Sequence, residues 1–250
     1  MTPVLETIDL SRRFGGLTAT DHVSFSLERG ARHALIGPNG AGKTTFINLL
    51  TGALRPSGGQ IRLAGEDVTR LAPDRRVKRG LSRTFQINQL FPEMTPLQAL
   101  ALAAAEARGT GAAWFSSIAA DEPALARAAE LLDRFGLAEF MDEPTSRLPY
   151  GRQRLLEIAL SLAGHPEVLL LDEPAAGVPE EERADILKIV AALPEEVTIL
   201  LIEHDMDLVF SFAERITVMV NGAIFAAGTP AEIEADRRVR EVYLGEGGDE

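Results

Sequence analysis

Gly37, Pro38, Asn39, Gly40, Ala41, Gly42, Lys43, Thr44 and Thr45 form a glycine-rich stretch that ends in a lysine and two threonines. With Gly37, Gly42, Lys43 and Thr44 at this spacing it fits the phosphate-loop pattern. Glycine has no Cβ, so successive backbone N–H groups can turn inward around an anion. Lys43 supplies a point charge for the β- and γ-phosphates of a nucleotide, and the Thr44 hydroxyl is a hard oxygen donor for Mg²⁺. The flanks suit the same reading. Ala34-Leu35-Ile36 is an apolar run like a buried strand, and Phe46, Ile47, Leu49 and Leu50 follow the loop at helical spacing. A helix N-terminus behind the loop adds its own attraction for anions.

A second chemical stretch is Val168-Leu169-Leu170-Leu171-Asp172-Glu173-Pro174. A buried strand ending in two carboxylates delivers them to the sheet edge, where open α/β folds bind ligands. Asp172 there suits Mg²⁺, and Glu173 suits the orientation or deprotonation of a water. By itself this pattern also fits an ordinary strand end capped by acidic residues; beside a phosphate loop the chemical reading prevails.

These groups need a scaffold. Val23, Phe25 and Leu27 alternate with Ser24 and Ser26 as in a half-buried strand, and Ile61 and Leu63 repeat the theme after an expected Gly58-Gly59 turn. Val168–Leu171 and Ile199–Ile202 are unbroken apolar runs, as parallel strands covered on both faces require. Ile186, Ile189, Val190 and Leu193 make a helical stripe between them. Strand, helix and strand form a crossover unit, so the fold class is α/β with a parallel sheet. Residues 88–165 read as a mostly helical insert, where Leu125, Ala128, Leu132 and Phe135 share a face and Gly136 ends the helix. Asn221-Gly222 between Ile216–Val220 and Ala223–Ala226 is a hairpin signal.

Composition bounds the partners. The 250 residues make one large domain or two small ones, enough for a core without staples. There is no cysteine, which removes disulfides and thiolate metal sites. A net charge of −12 argues against a sequence-independent grip on nucleic acid and against adsorption to an anionic bilayer. No signal-peptide pattern opens the chain, and no stretch approaches the about 18 apolar residues of a membrane span. A membrane role is therefore expected to come through a partner.

Taken in order, these residues resemble the ATP-binding subunit of an ABC transporter over about residues 4–244. The resemblance implies a P-loop NTPase (RecA-like) core at 1–87 and 166–227 with N-terminal antiparallel β elements. It also implies a helical subdomain at 88–165 and a C-terminal helical extension and tail at 228–250. It implies ATP and Mg²⁺ as ligands. Phe14, in Arg-Arg-Phe-Gly-Gly, matches the aromatic residue that stacks on adenine, although a loop aromatic packed on the core is the plainer reading of that residue alone. Gln86, in Arg-Thr-Phe-Gln, matches the glutamine that joins nucleotide and metal to the helical subdomain; alone it reads as a solvated amide. Leu148, Pro149, Tyr150, Gly151, Arg152 and Gln153 sit where the signature loop sits, and the loop serves the nucleotide of the opposite subunit. Asp172 and Thr44, with Gln86, match the metal site. Lys43, Glu173 and the switch histidine His204 match the catalytic set. His22, His33 and His165 belong to no motif and are not spaced as metal ligands.

Gly80–Gln86, Leu156–Ala159, Asp172–Gly177, Leu200–Met206 and Val242–Gly245 are similar to one group, the ATPases of high-affinity branched-chain amino acid importers and their urea, amide and aromatic-acid relatives. That likeness implies a second ATPase subunit, identical or different, two transmembrane permease subunits and, indirectly, a solute-binding protein, with no nucleic acid. It places the chain peripherally on the cytoplasmic face of the inner membrane. Residues 87–95, with Phe91, Glu93 and Met94, are the expected surface for a permease helix. Two departures stand out. Pro149 and Arg152 replace a small residue and a glutamine in the signature loop, and Pro179 replaces an Asn or Asp. Proline has neither N–H nor hydroxyl, so a contact to the partner's γ-phosphate is lost unless proline merely starts the helix. Three function classes follow. They are a transport ATPase, an ABC ATPase acting on nucleic acid or ribosomes, and a nucleotide-binding subunit of low turnover in an asymmetric pair. The second would need a coiled-coil insert or fused ATPase units, neither of which is present in the sequence.

Overall fold

The computed structural model describes residues 3–84, 90–109 and 121–244. The strand that leads into the glycine-rich loop, β3 (Arg32–Ile36), is buried at every position and lies inside a six-stranded sheet. Its sheet partners are β6 (Leu81–Arg83), β7 (Val168–Asp172), β8 (Thr198–Ile202), β9 (Arg215–Val220) and β10 (Ala223–Gly228), in the order β10-β9-β3-β8-β7-β6. All neighbours run parallel except β10, which returns antiparallel to β9. The parallel arrangement puts the carboxyl ends of β3, β7 and β8 at one edge. Those ends carry the loop at 37–45, Asp172-Glu173 and Glu203-His204. The turn between β9 and β10 has Asn221 at φ 49° and Gly222 at φ 81°, the doubly positive geometry of a tight hairpin.

Strand parity divides the core. Leu35, Leu170 and Leu200 face α1 (Lys43–Thr51), whose Phe46, Ile47, Leu49 and Leu50 are buried against a second, antiparallel sheet. That sheet consists of β1 (Leu5–Phe14), β2 (Leu17–Leu27), β4 (Gly58–Leu63) and β5 (Glu66–Asp67), ordered β2-β1-β4-β5. Ala34, Leu169, Leu171, Ile199 and Leu201 face the other layer. It is built from α3 (Pro96–Ala107), α4 (Glu122–Arg134), α5 (Tyr150–Leu162), α6 (Glu180–Ala191) and α7 (Met206–Phe212). Two faces of continuous apolar burial explain why β7 and β8 read as unbroken hydrophobic runs. α4 ends as its sequence requires, with Gly136 at φ 62° just beyond Phe135. α2 (Pro73–Val77), α8 (Pro230–Ala235) and α9 (Arg237–Leu244) complete the described helices.

Gly58 and Gly59 depart from the expected turn: both lie in β4. β1 bulges at Asp9, which takes φ 52°, and its register with β4 shifts between Ile8 and Ser11. A Cβ on Gly59 would meet the Asp9 carbonyl at 2.3 Å, so the glycine is needed to let the bulged strand approach.

Two buried cations anchor this scaffold through backbone carbonyls. Arg76 donates to Leu49 O at 2.7 Å and to Thr69 O at 3.0 Å, capping the C-terminus of α1. Burial pushes its pKa down to about 10. Arg32, at the opposite edge of the sheet from the loop, donates to Val197 O at 2.7 Å and Pro194 O at 3.2 Å.

His33, in the middle of β3, bonds Thr217 Oγ1 at 2.8 Å and meets the Phe25 ring edge-on at 5.1 Å. Burial, with a smaller contribution from the Arg215 charge, lowers its pKa to about 4. The unfolded chain therefore binds the proton between about pH 6.5 and 4 while the folded chain does not. His33 favours the fold above pH 6.5, and this contribution is lost as the pH falls to about 4, by up to about 3 kcal/mol. His33→Gln keeps a partner for Thr217 and removes this proton uptake. In urea titrations the stability difference between wild type and variant should shrink across that window; parallel curves would show that His33 does not titrate with folding.

Candidate nucleotide site

The loop at 37–45 is shaped by what lies behind it. A Cβ on Gly37, at φ 155°, would sit 2.3 Å from Met219 O of β9, and one on Gly42, at φ 97°, 2.5 Å from Ala19 O of β2. Gly222 N donates to Ala41 O at 2.9 Å, so the β9–β10 turn also clasps the loop. Gly42 sits at the N-cap of α1 and makes no side-chain cap, and a helix N-terminus in this position favours an anion. Lys43 Nζ donates to Gly37 O and, at 3.0 Å, to Pro38 O. Thr44 is exposed at the start of the helix. This cradle of glycine turns, a helix N-terminus and a lysine suits a chain of phosphates. Gly40 also takes positive φ, while Pro38, Asn39, Ala41 and Thr45 complete the loop.

Asp172 and Glu173 stand at the end of β7. Asp172 is 4% exposed, and its Oδ2 accepts from Arg83 Nη2 at 2.6 Å. Arg83 Nη1 donates to Asn48 Oδ1 of α1 at 2.7 Å, so one guanidinium bridges the metal-type carboxylate and the helix that begins at Lys43. Thr44 with a single carboxylate is a donor set Mg²⁺ accepts when phosphates supply the remaining oxygens. Glu173 takes φ 48°, a left-handed conformation costly for a non-glycine residue. His204 Nδ1 lies 3.7 Å from Glu173 Oε1 and 3.8 Å from Glu203 Oε2. Glu203 is 3% exposed; burial raises its pKa, and its Oε2 accepts from His204 N at 3.2 Å. The structure thus brings Lys43, Asp172, Glu173 and His204 to one edge.

Phe14 lies at the end of β1, not in a loop or on the core. It is 41% exposed, paired in register with Leu17, with the Arg12 guanidinium 4.5 Å from its ring centroid. Two residues beyond Leu17 on β2, Ala19 packs against Gly42, so the ring stands at the tip of the hairpin beside the loop. Gln86 lies outside the described residues.

The signature-type segment is set differently from its sequence reading. Leu148 is buried, and Pro149 does not form the first helical turn but precedes it as N-cap, at φ −53° and ψ 147°, with α5 starting at Tyr150. Proline lacks the side-chain oxygen that would cap this helix. Gln153 N donates to Pro149 O at 3.0 Å, and Gln153 Nε2 to Leu148 O at 2.9 Å. Tyr150 Oη donates to Ala176 O at 3.2 Å, and Gly177 stands against its ring. Arg152 reaches the Phe140 ring at 5.7 Å and Gly136 O at 3.4 Å, holding it to the end of α4. Pro179 is likewise the uncapped N-cap of α6. A Cβ on Gly151 would lie 2.3 Å from Glu182 Oε2 of that helix.

Three residues at this edge escaped the sequence reading: Arg83, Arg154 and Glu203. Arg83 and Glu203 were within reach of it, since they lie inside the motifs Gly80–Gln86 and Leu200–Met206. Its ion pair with Asp172 has side chains only 14% and 6% exposed, so removing one partner strands the other charge. Arg83→Met should lower stability by about 3 kcal/mol, less so in the background Asp172→Asn, where no charge is stranded. Chemical denaturation of the two single variants and the double checks this; strictly additive losses would show that the pair is not coupled.

Comparison with known proteins gives this geometry a context. Residues 20–176 match the family model described as ABC transporter, and residues 223–249 match that described as branched-chain amino acid ATP-binding cassette transporter. The chain is 43% identical to the high-affinity branched-chain amino acid transport ATP-binding protein BraF of Pseudomonas aeruginosa, over 98% of each chain. It is 42% identical to the LivG protein of Escherichia coli, again over 98% of each. Among solved structures, the ADP conformation of MJ1267, an ATP-binding cassette of an ABC transporter, superposes with a TM-score of 0.87 at 32% identity, covering 98% of this chain and 100% of that one. A nucleotide-free cassette from an ABC transporter superposes at 0.83 with 31% identity, covering 97% and 99%. The chain therefore belongs to the ATP-binding subunits of ABC transporters, in the group of branched-chain amino acid transport ATP-binding proteins.

Proposed function

We propose that this protein binds and hydrolyses ATP to drive uptake of branched-chain amino acids or related small solutes. The observation that carries the reading is the convergence of Lys43, Asp172, Glu173 and His204 on the carboxyl edge of β3, β7 and β8, behind a loop that backbone contacts force to be glycine. Gly37–Thr45 would cradle the phosphates, with Lys43 leaving its own loop carbonyls for the β- and γ-oxygens. Phe14 offers a π face to the base. Thr44 and Asp172, with Gln86, would hold Mg²⁺, which when bound supplies charge neutralisation at the phosphates. Glu173 orients the attacking water, and His204, 3.7 Å away, bridges it to the γ-phosphate. Catalysis is then mainly positioning and electrostatic stabilisation.

The same reading supplies partners. Leu148–Gln153 would face the nucleotide of a second ATPase subunit, so that ATP closes the pair and hydrolysis reopens it. No helix among the described residues is long and apolar enough to cross a membrane, which fits peripheral attachment to the cytoplasmic face through two permease subunits, fed by a solute-binding protein. A cleft of about 520 Å³ opens between β6 and the helical layer, lined in part by Val77, Leu81, Leu90 and Leu160. Val77 is 58% and Phe91 63% exposed at this side of the molecule. Thr145, itself buried, pins the 91–94 segment by donating to Phe91 O at 2.6 Å. A cleft with aliphatic anchors, and an exposed aromatic residue next in sequence to one of its lining residues, suits an amphipathic helix of a permease subunit. Of the expected docking surface, residues 87–89 lie outside the described residues.

Glu173→Gln should retain ATP binding yet turn over at least about 10²-fold more slowly, while Lys43→Ala should weaken binding itself. Steady-state ATPase assays and nucleotide titrations separate the two. Near-wild-type turnover in Glu173→Gln would remove that residue from the catalytic role.

One observation favours a low-turnover subunit in an asymmetric pair as a second reading. Pro149 leaves the N-terminus of α5 without a hydroxyl, and the Glu182 carboxylate leans on Gly151 where an incoming phosphate would have to sit. Pro149→Ser restores a hydrogen bond to a charged group, worth about 1.5–3 kcal/mol. In a mixed dimer with a regular partner, turnover should rise by about 10-fold or more at the partner's nucleotide only. No change, alone or with the partner, would reduce the proline to a helix starter.

A further inference from the structure

Two charged residues stand in the wall of the β6 cleft, Arg83 and Glu157, and each is joined to one of the adjacent carboxylate residues at the end of β7. Arg83 pairs with Asp172 directly. Glu157 acts one step removed. Its Oε2 accepts from Arg154 Nη1 at 2.6 Å, one helical turn away on α5. Arg154 Nη2 in turn donates to the backbone carbonyl of Glu173 at 3.1 Å. The Arg154 side chain is 3% exposed and that of Glu157 10%, so water scarcely competes for either bond.

The peptide that Arg154 grips is the strained one. Glu173 sits at φ 48°, and such a conformation persists only where its surroundings hold it. Glu173 N donates to Ile202 O at 2.9 Å, and Glu173 O accepts from Ala176 N at 3.0 Å as well as from Arg154. Arg154 is the one of these holds that comes from another layer of the fold, and a side chain that rotates about this peptide changes where the Glu173 carboxylate points.

We propose that Arg154 is a positioning residue for Glu173, set in place by Glu157, so that the wall of the cleft is connected through two hydrogen bonds to the backbone of the residue whose carboxylate orients the attacking water. This inference rests on the assignment of Glu173 to that role and of the cleft to a permease helix. An occupant that draws on Glu157 frees Arg154 to shift, and the Glu173 peptide relaxes with it. Because Tyr150 on the same helix holds Ala176 O, the N-terminal turn of α5 moves with the 173–176 turn.

The test is a cycle on the purified full chain with Arg154→Met, Arg154→Lys, Glu157→Ala and the double variant Arg154→Met with Glu157→Ala. ATP turnover, the nucleotide dissociation constant and the melting temperature are read for each. Arg154→Met should lower kcat by about 10-fold or more while nucleotide affinity stays within about twofold, since a misplaced reacting group costs rate and not binding. Arg154→Lys keeps one donor and should recover part of the rate. Glu157→Ala should lower kcat less, and the double variant should be no worse than Arg154→Met. An unchanged kcat in Arg154→Met overturns the proposal. So does a fully additive double variant, or a rate loss that only tracks a loss of affinity and melting temperature. Should Arg154→Met fail to fold, the same cycle with Arg154→Lys decides by additivity. Two controls keep the underlying readings separate. Glu173→Gln at wild-type turnover would sink the catalytic assignment. Val77→Cys in this cysteine-free chain that fails to cross-link to co-assembled permease subunits would sink the assignment of the cleft.

Discussion

At Gly37 the Met219 carbonyl leaves no room for a side chain, and at Gly42 the Ala19 carbonyl does the same. The two carbonyls belong to different sheets, so the loop between β3 and α1 is wedged where the sheets meet. Its backbone path is thus set from outside the loop. Every other group at the edge is placed relative to that path. α1 runs from the loop into the space between the sheets, and Arg76 fastens its far end by capping Leu49 O. The hairpin turn at Asn221-Gly222 clasps Ala41 from behind. A rigid loop loses little freedom when it binds an anion, which is how preorganisation converts backbone geometry into affinity.

Buried arginines recur as the fasteners of this molecule, and they fall into two kinds. Arg32 and Arg76 spend their donors on carbonyls of loops and helix ends, with no carboxylate bonded to the guanidinium. They tie secondary structure to secondary structure. Arg83 and Arg154 instead join acidic partners around Asp172 and Glu173, and both reach from the cleft side of the sheet. Guanidinium suits this work because its planar fork presents several donors in fixed directions and remains charged when buried. Lys43 shows the opposite economy. Its flexible stem lets one ammonium fold back onto the carbonyls of its own loop.

The two proline-led helices give the other half of the site a different character. α5 and α6 both begin at prolines without a capping side chain, and the first turn of α6 carries Glu180, Glu181 and Glu182. Carboxylates at a helix N-terminus favour the fold through the helix dipole. The same charges, one of them leaning on Gly151, oppose an anion approaching α5. Charges that steady α6 thus set a negative potential beside the N-terminus of α5, away from Lys43, Asp172 and Glu173.

Local physics made much of this legible in the residues themselves. Unbroken apolar runs announce β7 and β8 because a strand covered on both faces needs apolar side chains at every position. Asn221-Gly222 announces its hairpin because few residues accept positive φ twice in succession. Gly37 to Thr45 announces phosphate chemistry because no other spacing turns the amides inward beside a lysine. What the chain order conceals is the choice of partner. Arg83 and Asp172 are 89 positions apart, and Arg154 and Glu173 are 19 apart. Neither neighbourhood names the acidic residue that its arginine meets. The Gly58-Gly59 pair reads as a turn until β1 bulges against it, and Pro149 reads as the first helical residue until the backbone places it one step outside. Those outcomes belong to the tertiary structure, because a guanidinium, a bulge or a cap is settled by what else is desolvated beside it, and burial is a property of the whole fold.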